Sequence, residues 1–379
     1  MKKQKIAFCI PDMIIGGVES VFITILTELI KSPNLEISVF LHSKLTEPFY
    51  HDWFTKHPEI QIKVIYPLQT YFERLKKHTN FFPLKNIRKL IFSIYKKYKR
   101  LTFQISDIDI YIDYKNASFH KELRRISKPK ITWCHGSFEF FQDAKLIKRL
   151  QYYDKMIVLT NDFKTEFNLH YPELQHKIIH IYNPIDQDYI IDQAKNAPTY
   201  SGKYFCSVSR LGTPKDISTI INAFSIFWEL ENQPDVKLLI IGDGPNRKKL
   251  EVLANHSAAK KHIIFMGTQT NPFGYMRNAM AHILSSTNEG FGMVLLESAT
   301  VGTLNVSSNH KNGAMEILQN GQSGLLFPVG DLNSLAHIMC DIFNNRIPRT
   351  KIIKQCQDSL HRFDIKSIST EIITLLQKI

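Results

Sequence analysis

Two acids flank a glycine turn in the run Asn288-Glu289-Gly290-Phe291-Gly292-Met293-Val294-Leu295-Leu296-Glu297. An apolar strand pattern over 281–285 enters this turn, and a helical pattern over 291–301 leaves it. The first amides of a helix lack intrahelical partners and sit at the positive end of its dipole, which suits an anionic or hydroxyl-rich ligand. Gly290 and Gly292 let backbone approach such a ligand closely. Glu289 stays on the loop, and Glu297 falls inside the first turns of the helix. Read plainly, the same pair is two exposed acids beside a tight turn. A second run, Ser209-Arg210-Leu211-Gly212-Thr213-Pro214-Lys215-Asp216, follows a strand pattern over 204–208 and precedes a helix over 217–230. Two cations beside a helix start hold a diphosphate well, Arg210 by its planar fork and Lys215 as a point charge. The plain reading is a solvated basic loop, with Asp216 as a helix N-cap. A third run, Pro11-Asp12-Met13-Ile14-Ile15-Gly16-Gly17-Val18-Glu19-Ser20, opens the first strand-to-helix turn. Its glycine pair offers amides to a phosphate or sugar but lacks the G-x-G-x-x-G spacing of dinucleotide folds. Glu19 also reads as a first-turn acid on the helix dipole.

The elements that must carry these runs alternate. Short β-branched or aromatic segments at 6–10, 36–41, 60–66, 108–112, 130–134 and 155–159 are separated by amphipathic stretches such as 18–30 and 138–152. The rhythm repeats with strands at 204–208, 236–241, 263–266, 281–285 and 303–306 and helices at 217–230, 246–254, 291–301 and 332–343. Strand and helix in alternation predict parallel sheets covered by helices, with ligand sites at the strands' carboxyl ends. Asn183-Pro184 ends a strand and places the boundary between two α/β halves, 1–183 and 184–360. Ile365, Ile368, Ile372, Ile373 and Leu376 share helical spacing, so 361–379 ends in a helix with one buried face.

Composition narrows the partners. The chain has 379 residues, 48 Lys plus Arg against 35 Asp plus Glu, and a formal charge of +13. A chain this basic meets nucleic acid, a membrane surface or a phosphorylated ligand. Residues 1–183 hold 29 basic and 18 acidic side chains, and 184–379 hold 19 and 17, so the excess lies in the first half. Cys9, Cys134, Cys206, Cys340 and Cys356 form no Cys-x-x-Cys pair, which suits free thiols in a reducing compartment. The basic start is cut at Pro11-Asp12, so 6–10 reads as a strand and not a leader. No stretch approaches the roughly 18 uncharged apolar residues that span a bilayer.

Seven runs, in order over nearly the whole chain, resemble glycosyltransferase family 4, retaining enzymes of the GT-B fold. They are Gly16-Gly17-Val18-Glu19, Trp133-Cys134-His135-Gly136, Tyr182-Asn183-Pro184-Ile185-Asp186, Ser209-Arg210-Leu211 with Lys215, Ile240-Ile241-Gly242-Asp243-Gly244-Pro245, Glu289-Gly290-Phe291-Gly292 with Glu297, and Asn312-Gly313-Ala314 through Gly324-Leu325-Leu326. The Glu-x7-Glu unit and the Arg/Lys pair are the specific ones. The resemblance implies two Rossmann-like domains facing a cleft, an acceptor-side domain first and a nucleotide-sugar domain second, with the last helix crossing back. It implies that Arg210 and Lys215 neutralise the donor diphosphate and Glu297 takes the ribose hydroxyls. Glu289, Gly290, Phe291, Gly292 and Met293 would grip the donor sugar, with His135 at its far side. Gly16 and Gly17 would close on the phosphates or the acceptor, and 266–270 would pass near the base.

The implied activity moves a hexose or N-acetylhexosamine from a nucleotide sugar, UDP above all. The acceptor would be a membrane-linked glycan or glycolipid of surface polysaccharide or lipopolysaccharide synthesis. A soluble glucan or sucrose-type transferase of the same fold and a non-catalytic nucleotide-sugar or glycan binder are the alternatives. The departing phosphate oxygen can take the acceptor's proton, so no metal and no dedicated base are expected; Asp107-Ile108-Asp109 reads as structural. Ser20 stands where the family often has a basic residue, which leaves the ligand of the first glycine turn open. Residues 71–105 carry ten cations, Arg74 to Arg100, against Glu73 alone, with apolar residues from Ile87 to Tyr98 recurring every three or four positions. That pattern predicts a basic amphipathic helix, either lying on an anionic membrane at about 1 kcal/mol per basic residue or packing its apolar face on the sheet. No groove-reading motif supports nucleic acid. The expected place is the cytoplasm, peripheral on the inner face of the membrane.

Overall fold

The computed structural model describes residues 3–14, 16–69, 71, 82–101, 107–141 and 144–379. Ile15 and, from the basic segment, 72–81 and 102–105 lie outside the described residues; Arg74, Lys76 and Lys77 are among them. The chain divides into two compact units. One comprises Met1–Val158, Lys164–Ile181 and Ile368–Ile379, and the other Leu159–Phe163 and Tyr182–Ser367. This partition is finer than 1–183, 184–360 and 361–379. Its exchanged pieces are held by bonds remote in sequence. Asn161 donates its backbone N–H and its Nδ2 to Glu316 at 3.0 and 2.7 Å. Gln4 Nε2 donates to the Leu376 carbonyl at 2.9 Å.

Among its described residues the first unit holds seven parallel strands: β1 (Gln4–Ile10), β2 (Leu35–Leu41), β3 (Gln61–Val64), β4 (Ile110–Asp113), β5 (Lys130–Cys134), β6 (Lys155–Val158) and β7 (Ile178–His180), in the order β3-β2-β1-β4-β5-β6-β7. Ile6 through Ile10 are all fully buried, as a central strand covered on both faces requires. The order reverses between β1 and β4, which opens a crevice at their carboxyl ends.

The second unit holds β8 (Lys203–Val208), β9 (Val236–Ile241), β10 (Ile263–Gly267), β11 (His282–Leu284), β12 (Asn305–Ser308) and β13 (Leu325–Phe327), all parallel, in the order β10-β9-β8-β11-β12-β13. Its reversal lies between β8 and β11. The helix Ile217–Leu230 turns Ile217, Ile220, Ile221, Phe224 and Phe227 inward at three- and four-residue spacing, into a core with Phe205, Leu238, Leu335 and Met339. Each such side chain contributes about 1.5–3 kcal/mol on burial.

Three elements differ from expectation. The stretch 138–152 is two helices, Phe138–Phe141 and Ala144–Leu150. The helix after the acidic turn begins at Met293, because Gly292 takes the left-handed conformation (φ 100°) at its N-cap. Asp216 stands at the N-cap of Ile217–Leu230, but its carboxylate accepts from the hydroxyls of Ser218 and Thr219 at 2.5 and 2.6 Å, with no backbone amide capped. Asp109 accepts the Lys5 amide at 2.9 Å and Asp107 pairs with the Lys5 ammonium, so both are tied to β1.

The basic helix runs Phe82–Leu101. Its apolar stripe is not packed on the sheet: Ile87, Leu90, Ile91, Ile94 and Tyr98 are 54, 61, 51, 60 and 61% exposed. The helix is pinned near its end. Arg100 Nε donates to Glu122 Oε1 at 3.0 Å and to Tyr66 Oη at 3.1 Å, and Tyr95 Oη accepts the Leu68 amide at 3.3 Å. Burial alone would raise the Glu122 pKa, but His42, Tyr66 and Arg100 outweigh it and hold the carboxyl down at about 2. No helix among the described residues is long and apolar enough to cross a membrane.

Candidate functional site

At the reversal between β8 and β11, two loops are stitched together backbone to backbone. The Thr287 amide donates to the Pro214 carbonyl at 2.8 Å, and Ser285 Oγ stands 2.9 and 2.8 Å from the carbonyl oxygens of Lys215 and Asp216. The loop after β8 is pressed on the loop after β9: a Cβ on Gly242, at φ +130°, would lie 1.9 Å from the Ser209 carbonyl oxygen. The Leu211 amide donates to the Asp243 carbonyl at 2.9 Å. The loop after β12 is likewise pressed on the acidic turn, for a Cβ on Gly313, at φ +100°, would lie 1.7 Å from the Phe291 carbonyl oxygen. The Phe291 ring is buried against Tyr182 and Phe363, with centroids at 5.8 and 5.7 Å, and so anchors the turn.

This scaffold brings Lys215 to Glu289. Their ammonium and carboxylate form a close ion pair, and Ser286 Oγ donates to the same carboxylate oxygen at 2.6 Å. The pair is mostly shielded from solvent. Arg210 is exposed, and its guanidinium has no partner among the described residues. Gly290 and Met293 are half-buried on either side of the helix start. Glu297 is half-buried on the helix Met293–Thr300, with no partner for its carboxylate among the described residues, and burial pushes its pKa up to about 7. A cation open to solvent and a paired lysine thus share the loop after β8, and an unpaired carboxyl lies on the helix that follows the acidic turn, each able to take a different part of a phosphorylated, hydroxyl-rich ligand. The 266–270 run begins at the end of β10, where the Gly242 amide donates to the Gly267 carbonyl at 2.8 Å.

Sequence reading passed over His310, just beyond β12. It is buried; Ser308 Oγ lies 3.1 Å from its Nδ1, and its Nε2 has no partner among the described residues. Burial lowers its pKa, with the charge of Glu289 opposing and that of Lys215 adding to the effect.

The first unit carries the remaining sequence-predicted groups. Gly16 is extended and caps the helix Gly17–Leu29, and a Cβ on Gly17 would meet nothing within 4 Å, so the fold leaves open space there. Glu19 is buried and pairs with Lys115 Nζ at 2.9 Å; Asp12 binds the same ammonium at 2.9 Å. Lys115 therefore brings to this turn a basic group absent at position 20. The next residue, Asn116, accepts the His135 amide through Oδ1 at 2.8 Å, so one segment after β4 serves both groups. Asp113 fixes that segment by accepting from Tyr153 Oη, the Phe119 amide and Ser118 Oγ at 2.5, 2.7 and 3.0 Å. Burial pushes the His135 pKa down to about 3, so the ring is neutral, and its two nitrogens have no hydrogen-bond partner among the described residues. A cavity of about 560 Å³ opens at Asn116, lined also by Asp12, Lys115 and Arg149 among others. Lys115 and Arg149 had no local signal; only the strand order places 115 beside the first glycine turn.

Among the described residues, no group of three or more His, Cys, Asp or Glu side chains could hold a metal ion. Residues 189–358 match the family model described as glycosyl transferases group 1. A Campylobacter jejuni N-acetylgalactosamine-N,N'-diacetylbacillosaminyl-diphospho-undecaprenol 4-alpha-N-acetylgalactosaminyltransferase is 30% identical over 155 residues, 41% of each chain. A second C. jejuni enzyme, GalNAc-alpha-(1->4)-GalNAc-alpha-(1->3)-diNAcBac-PP-undecaprenol alpha-1,4-N-acetyl-D-galactosaminyltransferase, is 23% identical over 99% of both chains. The chain spans 35 to 53% of the length of the first four curated relatives it matches. Anabaena Alr3699/HepE, solved in complex with UDP, superposes with a TM-score of 0.74 at 18% identity, over 99% of this chain and 100% of that one. The fold is the two-sheet α/β architecture expected of GT-B.

Proposed function

We propose, from the match of residues 189–358 to the family model of glycosyl transferases group 1, that the chain is a retaining glycosyltransferase of bacterial surface-glycan synthesis. It moves a hexose or N-acetylhexosamine from a UDP-sugar to a membrane-linked glycan or glycolipid. The observation that carries this reading is the Lys215–Glu289 pair at the β8/β11 reversal, flanked by unpartnered Arg210 and Glu297. UDP in the HepE complex and diphospho-undecaprenol in the relatives' names support the two substrate classes.

Breaking the sugar–phosphate bond develops positive charge at the anomeric carbon and negative charge on the departing diphosphate. Arg210, Lys215 and the helix start at Met293 stabilise the latter from fixed positions, so little reorganisation is needed as the charge grows. Glu289, held by Lys215 and Ser286, accepts donor-sugar hydroxyls, and Glu297 accepts those of the ribose. The diphosphate oxygen takes the acceptor hydroxyl's proton on the same face, which retains configuration without a protein base or a metal. The two glutamates therefore do not act as the acid and nucleophile of a glycosidase. In the first unit the open glycine turn, neutral His135 and the cavity lined by Lys115 and Arg149 serve the acceptor side. The exposed apolar stripe of Phe82–Leu101, edged by Arg88, Lys89 and Lys97, lays this unit on an anionic membrane from the cytoplasmic face.

The test is transfer, and donor hydrolysis, across UDP-, GDP- and ADP-sugars. Nucleoside diphosphates should raise the melting temperature by mass action. Unchanged transfer in both Arg210→Ala and Glu297→Ala would overturn the assignment.

A further inference from the structure

His310 is buried at the loop pressed against the acidic turn, and its hydrogen bonds fix which ring nitrogen carries the proton. Ser308 Oγ lies 2.6 Å from the Ser286 carbonyl oxygen, which only accepts. The hydroxyl has one proton and spends it there. Its 3.1 Å contact with His310 Nδ1 must then be a bond in which the ring donates. A neutral imidazole with its proton on Nδ1 leaves Nε2 a bare acceptor, and that atom is buried with no partner among the described residues. An orphaned buried acceptor costs about 1–3 kcal/mol, so an apolar ring would serve stability better here. What the histidine supplies is the Nδ1 proton, and the line it starts ends at Glu289: Nδ1 to Ser308 Oγ, Ser308 Oγ to the Ser286 carbonyl, and Ser286 Oγ to Glu289 Oε1 at 2.6 Å.

We propose that His310 is a positioning residue which, through Ser308 and Ser286, holds Glu289 at the angle needed to take the donor sugar. The inference rests on the reading of Glu289 as the donor-sugar ligand. It separates the sugar from the nucleotide: Arg210 and Glu297 make no contact with this line, and Lys215 meets it only at the Glu289 carboxylate, so free UDP should sense His310 little.

Three variants of the full chain test this. Asn places an N–H donor near the Nδ1 position, Gln near Nε2, and Ala at neither. His310→Asn should keep kcat/KM for the UDP-sugar within about threefold of wild type, while His310→Gln and His310→Ala lose up to about 100-fold, the cost of misplacing a group by about 1 Å. The Kd of UDP alone should change less than twofold in all three. Rescue by Gln and not by Asn would overturn the proposal, as would equal loss in all three or UDP affinity falling in step with transfer. Two readouts need no activity. The 15N spectrum of the unliganded wild type should show a neutral ring protonated at Nδ1, and an Nε2–H signal refutes the assignment. The carboxyl 13C chemical shift of Glu289, read at a single pH, should move in His310→Gln and stay in place in His310→Asn. Failure of these readouts sinks the positioning role. Failure of Arg210→Ala to affect UDP-sugar binding sinks instead the functional reading beneath it.

Discussion

Replacing Glu297 with glutamine should stabilise the protein at alkaline pH while weakening nucleotide binding. The carboxyl sits in a poorly solvated place with no donor among the described residues, and its pKa rises from 4.5 to about 7. Well below pH 4.5 the side chain is protonated in both the folded and unfolded chain and carries no penalty. As pH rises toward 7, the unfolded chain gives up its proton before the folded one does, so folding loses ground. Each tenfold step in that imbalance is about 1.4 kcal/mol. From 4.5 to about 7 the loss reaches about 3 kcal/mol, a ceiling because the side chain keeps some solvent contact. Urea unfolding of wild type and Glu297→Gln at pH 5, 6, 7 and 8 gives the difference directly. The variant's advantage should be about 1 kcal/mol at pH 5, grow through pH 7 and level off by pH 8. Ribose hydroxyls would supply the donors that the ionised carboxylate lacks, at about 1.5–3 kcal/mol for bonds to a charged group. The variant should therefore bind UDP roughly 10- to 150-fold more weakly. A stability difference that is flat with pH, or a variant less stable than wild type at pH 8, would refute the reasoning.

Glu289→Gln releases the Lys215 ammonium, so UDP should bind as tightly as in wild type or tighter, by calorimetry, while transfer falls at least about 100-fold. Ile91→Glu with Ile94→Glu, on the exposed stripe, should abolish sedimentation with vesicles rich in anionic lipid and leave UDP binding intact; wild-type sedimentation should weaken with salt. Gly313→Ala should lower thermal stability by at least about 2 kcal/mol, since a positive φ and a backbone oxygen at 1.7 Å both resist a Cβ.

Local pattern disclosed the sheets better than the site. Strands such as 6–10 and 236–241 are unbroken apolar runs, and burial on both faces makes them legible. Ile178–His180 and Leu325–Phe327, three residues each at sheet edges, were too short for any period to show. The acidic turn and the Arg210 loop were readable because each spans a strand end, a glycine turn and a helix start in one short run. Lys115 was not, because it meets Glu19 across 96 positions and only the strand order brings them together. His310 escaped for a related reason: its meaning lies in where the Ser308 proton goes, which no spacing encodes. The stripe at 87–98 was visible, but whether it faced the sheet or the solvent depended on where Arg100 was pinned.

The close backbone contacts at Gly242 and Gly313 have a consequence for how donor choice can change over time. Each site loop rests directly on another loop's main chain, with no side chains between to absorb a shift. Lengthening one loop would force its neighbour to move, and the Lys215–Glu289 pair with it. New sugar specificities on this scaffold should therefore arise by exchanging side chains on fixed backbone, at positions such as Met293 or Thr287, and rarely by insertion. Loop length between β8 and the helix Ile217–Leu230, and between β11 and the helix Met293–Thr300, becomes the invariant to look for in any set of descendants, whichever sugar each one carries.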